Sequence, residues 1–270
     1  MPDPFAVHIA DYVATVTWDG PRKGNPMGPE CFDQLPQLFR QLDRNQEVRV
    51  VLLVSGGPHF TYGLDLAAMA GSLGPMLQKP DARQRMDFLD VLAHLQDGMN
   101  AVSSCRKPVI VAVNGWCIGG GLDLICACDI RLGCADTKIS LRETRMAMVA
   151  DLGTMQRLPL IVGQGAARLM AFTGRDLDAA EAHRIGLLDE LYDTPEALQQ
   201  AAVALANEIA ANPPLAVEGA KRVLNHGIDH QVQRGLDYVA AWNAAFVASD
   251  DLGEAVQAFM MKRPPNYKGR

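Results

Sequence analysis

Two short runs constrain this chain more than anything else in it. Val48 to Val54 and Pro108 to Val113 are apolar at almost every position and rich in β-branched residues. A strand that is apolar on both faces must be covered on both faces, as parallel strands are in layered α/β proteins. Helical patterns flank the two runs. Phe32, Leu35, Leu38, Phe39 and Leu42 recur at helical spacing, and Met86, Leu89, Leu92, Leu95, Met99 and Val102 define a longer amphipathic helix. The alternation predicts an α/β fold.

The remaining elements follow the same logic. Val7 to Trp18 alternates apolar and polar residues around Asp11, which predicts two short paired strands, and Gly20-Pro21 breaks the pattern. Leu122 to Cys126 reads as helix, with short strands at Asp129 to Leu132 and Lys138 to Leu141. Past Gly153 the chain reads as mostly helical. Asp178 and Glu181 cap a helix through His183, and Thr194-Pro195-Glu196 is an N-cap followed by proline at the first helical position. An alanine-rich helix then runs to Ala211, Pro213-Pro214 opens the next, and Leu252 to Met261 is the last, stopped by Pro264-Pro265. Composition changes near residue 195, predicting an α/β core over 1–195 and a helical region over 196–270.

A formal net charge of -6 argues against a broad nucleic-acid surface, which needs clustered Lys and Arg, but leaves room for a small basic site. Cys31, Cys105, Cys117, Cys126, Cys128 and Cys134 make no CxxC pair, and neither they nor the six histidines show metal-ligand spacing. They read as reduced, buried thiols, and no metal site is expected. The start Met1-Pro2-Asp3-Pro4 lacks the basic and apolar blocks of a signal peptide, and Lys268-Gly269-Arg270 is not a peroxisomal tripeptide. No run of 18 apolar residues exists, so a cytoplasmic protein without a membrane partner is expected.

Two glycine-bearing loops carry the chemistry. His59-Phe60-Thr61-Tyr62-Gly63-Leu64-Asp65-Leu66 follows the first buried strand, and Asn114 to Leu124, containing Gly119-Gly120-Gly121, follows the second. Both read as strand-to-helix turns. Main-chain N–H groups at a helix start are unpaired and lie at the positive end of the dipole, so two such turns can aim two donors at one developing oxyanion. The second loop is neither G-x-G-x-x-G nor a P-loop.

Together these loops, with Asn25-Pro26-Met27, the run Gly-Gly-Gly-x-Asp-Leu…Cys-Asp-Ile-Arg, Leu141 to Pro159 and Phe259 to Pro264, closely resemble the enoyl-CoA hydratase/isomerase (crotonase) superfamily. The resemblance implies a spiral of ββα units followed by a helical trimerisation region, assembled as a homotrimer or a dimer of trimers. It implies an acyl-CoA thioester as substrate. Its oxyanion hole would be the N–H groups of Leu64 and Gly120. The family often has Ala where Leu64 stands and a small residue where Tyr62 stands; a main-chain donor survives both changes.

Three carboxylates fall at the family's catalytic positions: Asp123, Glu143 and Asp151, 20 and 8 positions apart. Hydratases of the family carry Glu at the first two and normally Gly at the third. The Asp–Glu–Asp set instead resembles the Δ3,5-Δ2,4-dienoyl-CoA isomerase subgroup. That resemblance implies a shift of conjugated double bonds in fatty-acid β-oxidation, with Glu143 as base at C2, Asp151 as acid at C6, and Asp123 orienting the pair; the two outer roles can be exchanged. Taken singly, Asp123 and Asp151 also read as helix-start residues and Glu143 as a solvated charge. A hydratase is the alternative reading, and an RNA-binding family member a remote one.

Lys23, Met27, Tyr62, Asp65, Leu66 and Lys262 are the candidate substrate contacts. Lys23 and Lys262, with Arg263, read either as partners for CoA phosphates or as ordinary solvated charges, and Asp65 also reads as a helix cap. No cofactor is expected, because side chains suffice for proton transfer and CoA enters with the substrate.

Overall fold

A computed structural model describes residues 4–20 and 22–270; Met1-Pro2-Asp3 and the chain-breaking Pro21 lie outside the described residues. In chain order the strands are β1 (Phe5–Ala10), β2 (Val13–Trp18), β3 (Val50–Ser55), β4 (Val109–Val113), β5 (Trp116–Ile118), β6 (Ile130–Cys134), β7 (Lys138–Ser140), β8 (Asp176–Asp178) and β9 (Glu190–Tyr192). The helices are α1 (Pro29–Arg44), α2 (Ala70–Leu73), α3 (Ala82–Ser104), α4 (Gly120–Ala127), α5 (Thr154–Thr173), α6 (Ala179–Arg184), α7 (Pro195–Ala210), α8 (Pro214–Asn225), α9 (Ile228–Phe246) and α10 (Asp250–Met260). Single 3-10 turns cover Gly74–Gln78 and Glu143–Met146.

The main sheet runs β1-β2-β3-β4-β6-β9, and β5-β7-β8 form a smaller one. Only β1 is antiparallel in the main sheet; it pairs with β2 through a hairpin in which Asp11 and Tyr12 both take positive φ. Two successive left-handed residues match the strand twist that a two-residue hairpin requires.

The buried runs behave as double-sided strands. Val51 and Leu53 of β3, and Val109, Val111 and Val113 of β4, join the large core beneath α1, α3 and α4. Val50, Leu52, Val54, Ile110 and Ala112 join a second core with Leu198, Ala202, Ala206 and Ala210. Those four residues are one stripe of α7, spaced every fourth residue. The helix that covers the second face therefore lies beyond residue 195, and the change at that position is one of composition, not of layer. A third cluster joins Phe88 and Leu92 of α3 to Ala240, Ala244 and Val247 near the end of α9.

Local signals hold where they are strong. Asp178 accepts from the Glu181 N–H at 2.8 Å and Thr194 from the Ala197 N–H at 3.2 Å, caps that contribute about 1 kcal/mol each. The three-residue strands β5, β8 and β9 are too short to show a period in sequence. All six cysteines are buried free thiols. Among the described residues no helix is long and apolar enough to cross a membrane.

Candidate active site

The first loop differs from its expected form. No helix begins at Leu64; the loop is instead a strip of bridges between two neighbouring segments. Thr61 pairs with Cys117 and Leu64 with Met27, both in parallel register. The Met27 N–H donates to the Gly63 carbonyl at 2.8 Å, and the Asp65 N–H to the Met27 carbonyl at 3.0 Å. A parallel bridge uses the residues on either side of Leu64 and turns its own N–H the other way. That N–H has no acceptor among the described residues. Gly120 opens α4, two residues ahead of the helix expected from Leu122, and its N–H is likewise unpaired.

Gly63 brings the two donors together. Its φ is +83°, and a Cβ there would stand 2.6 Å from the Ile118 carbonyl oxygen and 3.7 Å from the Gly120 nitrogen. Only a residue without a side chain permits that approach. Asn25 holds the strip in place. It is 3% exposed, and its Nδ2 donates to the Trp18 carbonyl at 3.1 Å, Ser55 Oγ at 3.0 Å and the Phe60 carbonyl at 3.2 Å. Its own carbonyl accepts from Thr61 Oγ1 at 2.6 Å, and Thr61 Oγ1 accepts from the Gly63 N–H at 3.0 Å.

The loops open onto a cavity of about 410 Å³. Gly63, Leu64, Gly119 and Gly120 belong to its wall. Leu73, Phe88, Leu92, Leu95, Met148 and Val247 supply much of its apolar wall, and all three carboxylates line it.

Asp123, in the first turn of α4, is 1% exposed; its Oδ1 accepts from the Thr154 N–H at 2.6 Å. Glu143 opens a 3-10 turn, and its Oε1 lies against Gly119, where a Cβ would stand 3.1 Å away. Glu143 Oε2 is buried without a hydrogen-bond partner. Asp151 lies just before α5; its Oδ2 accepts from Asn243 Nδ2 at 2.7 Å and its carbonyl from Gln96 Nε2 at 2.7 Å.

Burial pushes all three carboxyl groups up, because the charged form loses its water. Asp123 rises to about 6, opposed by the Thr154 hydrogen bond and the Arg157 charge. Glu143 rises to about 8, with the charges of Asp123 and Asp151 adding to burial. Asp151 rises to about 7, with the Asn243 hydrogen bond opposing and Asp123 adding. Burial thus brings the titration of Glu143 and Asp151 towards neutral pH, with Asp123 raised less.

The other candidate contacts separate into groups. Tyr62 and Leu66 line the cavity. The Tyr62 ring lies over Gly24, which has no Cβ to obstruct it, and against His59 at 5.0 Å between centroids. Met27 is fully buried beneath Gly120, so it supports the loop and does not face the cavity. Asp65 is buried, accepts from the Ala68 N–H at 2.9 Å and pairs with Arg22; it works as a cap. Lys23 and Lys262 are exposed, outside the cavity wall, and without an ion-pair partner among the described residues. The sequence reading missed Asn243, Gln96 and Val247. One signal was available for Asn243, a polar residue interrupting the apolar stripe Leu236, Val239, Ala240 and Ala244 of α9.

The family model for enoyl-CoA hydratase/isomerase matches residues 8–270. A mitochondrial Δ(3,5)-Δ(2,4)-dienoyl-CoA isomerase of Dictyostelium discoideum is 37% identical over 257 residues, covering 95% of this chain and 88% of that protein. A peroxisomal one of Arabidopsis thaliana is 41% identical over 245 residues, covering 90% and 88%. The crystal structure of an enoyl-CoA hydratase/isomerase from Pseudoalteromonas atlantica T6c superimposes with a TM-score of 0.85 at 26% identity, covering 98% of this chain and 100% of that one. With a family match this long and relatives this similar along most of both chains, the protein belongs to the enoyl-CoA hydratase/isomerase family.

Proposed function

We propose that this protein is a Δ3,5-Δ2,4-dienoyl-CoA isomerase. The observation that carries the reading is that Glu143 and Asp151 are separate carboxyl groups open to one apolar cavity, with Glu143 beside the oxyanion donors. The names of the Dictyostelium and Arabidopsis relatives agree with it.

The thioester carbonyl oxygen sits between the N–H groups of Leu64 and Gly120. That places C2 nearest Glu143, which removes its proton. The charge spreads through a conjugated enolate onto the thioester oxygen, where each donor contributes about 2.7–4 kcal/mol to the transition state. Asp151 delivers a proton to C6, and the 3,5 double bonds become 2,4 double bonds. Protons balance, one taken by Glu143 and one given by Asp151. The productive state has Glu143 ionised and Asp151 protonated; burial, which raises both carboxyl groups, favours the second and opposes the first. No cofactor takes part in this scheme.

The hydratase reading needs Asp123 and Glu143 to hold one water. Asp123 Oδ1 is committed to Thr154, and the residue is all but inaccessible. The test is to follow 3,5-octadienoyl-CoA and crotonyl-CoA separately by ultraviolet absorbance. Growth of the 2,4-dienoyl band, lost in Asp151→Asn, with little loss of the crotonyl band supports the isomerase. Fast crotonyl-CoA hydration without dienoyl product sinks it.

Assembly into trimers or paired trimers belongs to the same proposal. Tyr238, Trp242 and Phe246 form an exposed aromatic row on α9, with neighbouring centroids 6.5 and 4.6 Å apart, and α8 exposes Leu215, Val223 and Leu224. Exposed apolar surface on this scale is typical of a subunit contact. Lys23 and Lys262 are free to meet CoA phosphates. We place the protein in the cytoplasm on its sequence alone; relatives named mitochondrial and peroxisomal make the compartment a matter for fractionation.

A further inference from the structure

Asp151 is gripped by two helices remote from it in sequence. Gln96 on α3 holds its main-chain carbonyl. Asn243 on α9 donates from Nδ2 to Asp151 Oδ2 at 2.7 Å and to the Val149 carbonyl at 2.9 Å. Asn243 is 2% exposed, and its neighbours on the buried face of the helix are Leu236, Val239, Ala240 and Ala244. A primary amide in such a stripe is costly unless its hydrogens are bonded, and here both are spent on the segment Val149 to Asp151. Packing alone gives no reason for an amide at this place.

We propose that Asn243 is a positioning residue for proton transfer, holding Asp151 Oδ2 so that Oδ1 is the one oxygen offered to the acyl chain. Oδ1 makes no hydrogen bond to another residue among the described ones. Fixing one oxygen fixes the direction in which the carboxyl proton points, the kind of orientation on which a proton-transfer rate depends. The amide also favours the carboxylate left behind when Asp151 gives its proton away, which makes Asp151 a stronger acid. The titratable groups facing Asp151 are Asp123 on α4 and Glu143 in its 3-10 turn; α3 and α9 present only the uncharged Gln96 and Asn243. The part played in C6 protonation rests on the isomerase reading, whereas the grip on Asp151 does not.

The test compares wild type with Asn243→Ala. The Asp151 carboxyl is titrated by carbon-13 NMR in aspartate-labelled protein, its signal assigned by loss in Asp151→Asn. The pH profile of kcat/KM is measured with 3,5-octadienoyl-CoA, and the Kd for the 2,4-octadienoyl product by calorimetry. Removing the donor raises the Asp151 titration by about one pH unit. The alkaline limb of the rate profile moves up with it, kcat falls about 10- to 100-fold, and the product Kd stays within about twofold. If Asn243→Ala does not fold, Asn243→Ser, which keeps a short donor, is expected to move both in the same direction and less far. An Asp151 titration that does not move, or a fall in kcat with an unmoved alkaline limb, overturns the proposal. A wild type that leaves the dienoyl substrate unchanged, while the Asp151 titration still moves in the variant, rejects the isomerase reading and leaves the grip standing.

Discussion

Asp123 Oδ1 accepts the main-chain N–H of Thr154 at 2.6 Å, so a carboxylate in the first turn of α4 caps the start of α5. The N-cap of α5 is Gly153, which has no side chain to do this. One residue thus has two effects, a hydrogen bond and a charge, and Asp123→Asn separates them. The amide oxygen still accepts from Thr154, so stability at pH 7 is expected at or above wild type, whereas Asp123→Ala loses about 1–2 kcal/mol in thermal unfolding. With the Asp123 charge gone, Glu143 ionises more readily, and the acidic limb of kcat/KM moves to lower pH. An unmoved limb in Asp123→Asn would count against coupling between these two groups.

Glu143 has a stability signature of its own. Folding raises its carboxyl from the ordinary 4.5 to about 8, so the folded state binds the proton more tightly than the unfolded chain. Its contribution is fully present below about 4.5, declines as pH rises, and has become a cost above about 8. Glu143→Gln removes that dependence. Its unfolding midpoint, relative to wild type, is expected to rise between pH 5 and pH 8.5, by the equivalent of a few kcal/mol. Parallel curves for the two proteins across that range would contradict the burial argument.

Gly63 positions a donor that it does not itself supply. Gly63→Ala combines a left-handed backbone with a collision at the Ile118 carbonyl, and the loop must shift. The expected result is a kcat lower by about 10²- to 10³-fold, the range measured when an oxyanion donor is lost. Leu64→Ala is the control. It leaves the N–H in place and enlarges the cavity, so KM and acyl preference change while kcat on the best substrate stays within about tenfold. A Gly63→Ala enzyme with unaltered kcat would separate this loop from the oxyanion.

The aromatic row on α9 predicts a change of assembly. Tyr238 is 69% exposed and is not among the residues that line the cavity. Tyr238→Glu places a charge in the proposed contact, where an unpaired buried charge is strongly unfavourable. Sedimentation velocity is expected to show a trimer or larger species for wild type and a smaller one for the variant at equal concentration. Identical sedimentation would move the contact elsewhere.

The parts of this molecule that were legible in sequence are those governed by local pattern. β3 and β4 declared both covered faces through unbroken apolar runs, and Asp178 and Thr194 declared their helices through capping chemistry. The three carboxylates became legible as a set only through family resemblance, since each alone also fits a cap or a surface charge. What stayed hidden depends on contacts between distant segments. The loop at Leu64 is shaped by Met27 and Cys117, which no local period reports, so a helix start was expected where bridges are found. Met27 and Tyr62 show the same limit: burial of one and the ring direction of the other are set by Gly120 and Gly24. Asn243 meets Asp151 across 92 positions of chain.

That separation has a consequence for how the protein comes into being. Every group proposed to touch the reacting atoms is made by residue 151, while Asn243 of α9 and Val247 just past its end are made only later. At about 5–20 residues per second, the nascent chain carries its full set of reacting groups for some seconds before the element that dries and orients them exists. During that interval Asp151 lacks its Asn243 partner. The packing of α9 on α3 is thus what brings Asn243 to Asp151. A chain arrested or cleaved before α9 is therefore expected to be catalytically silent, not weakly active on whatever acyl-CoA it meets.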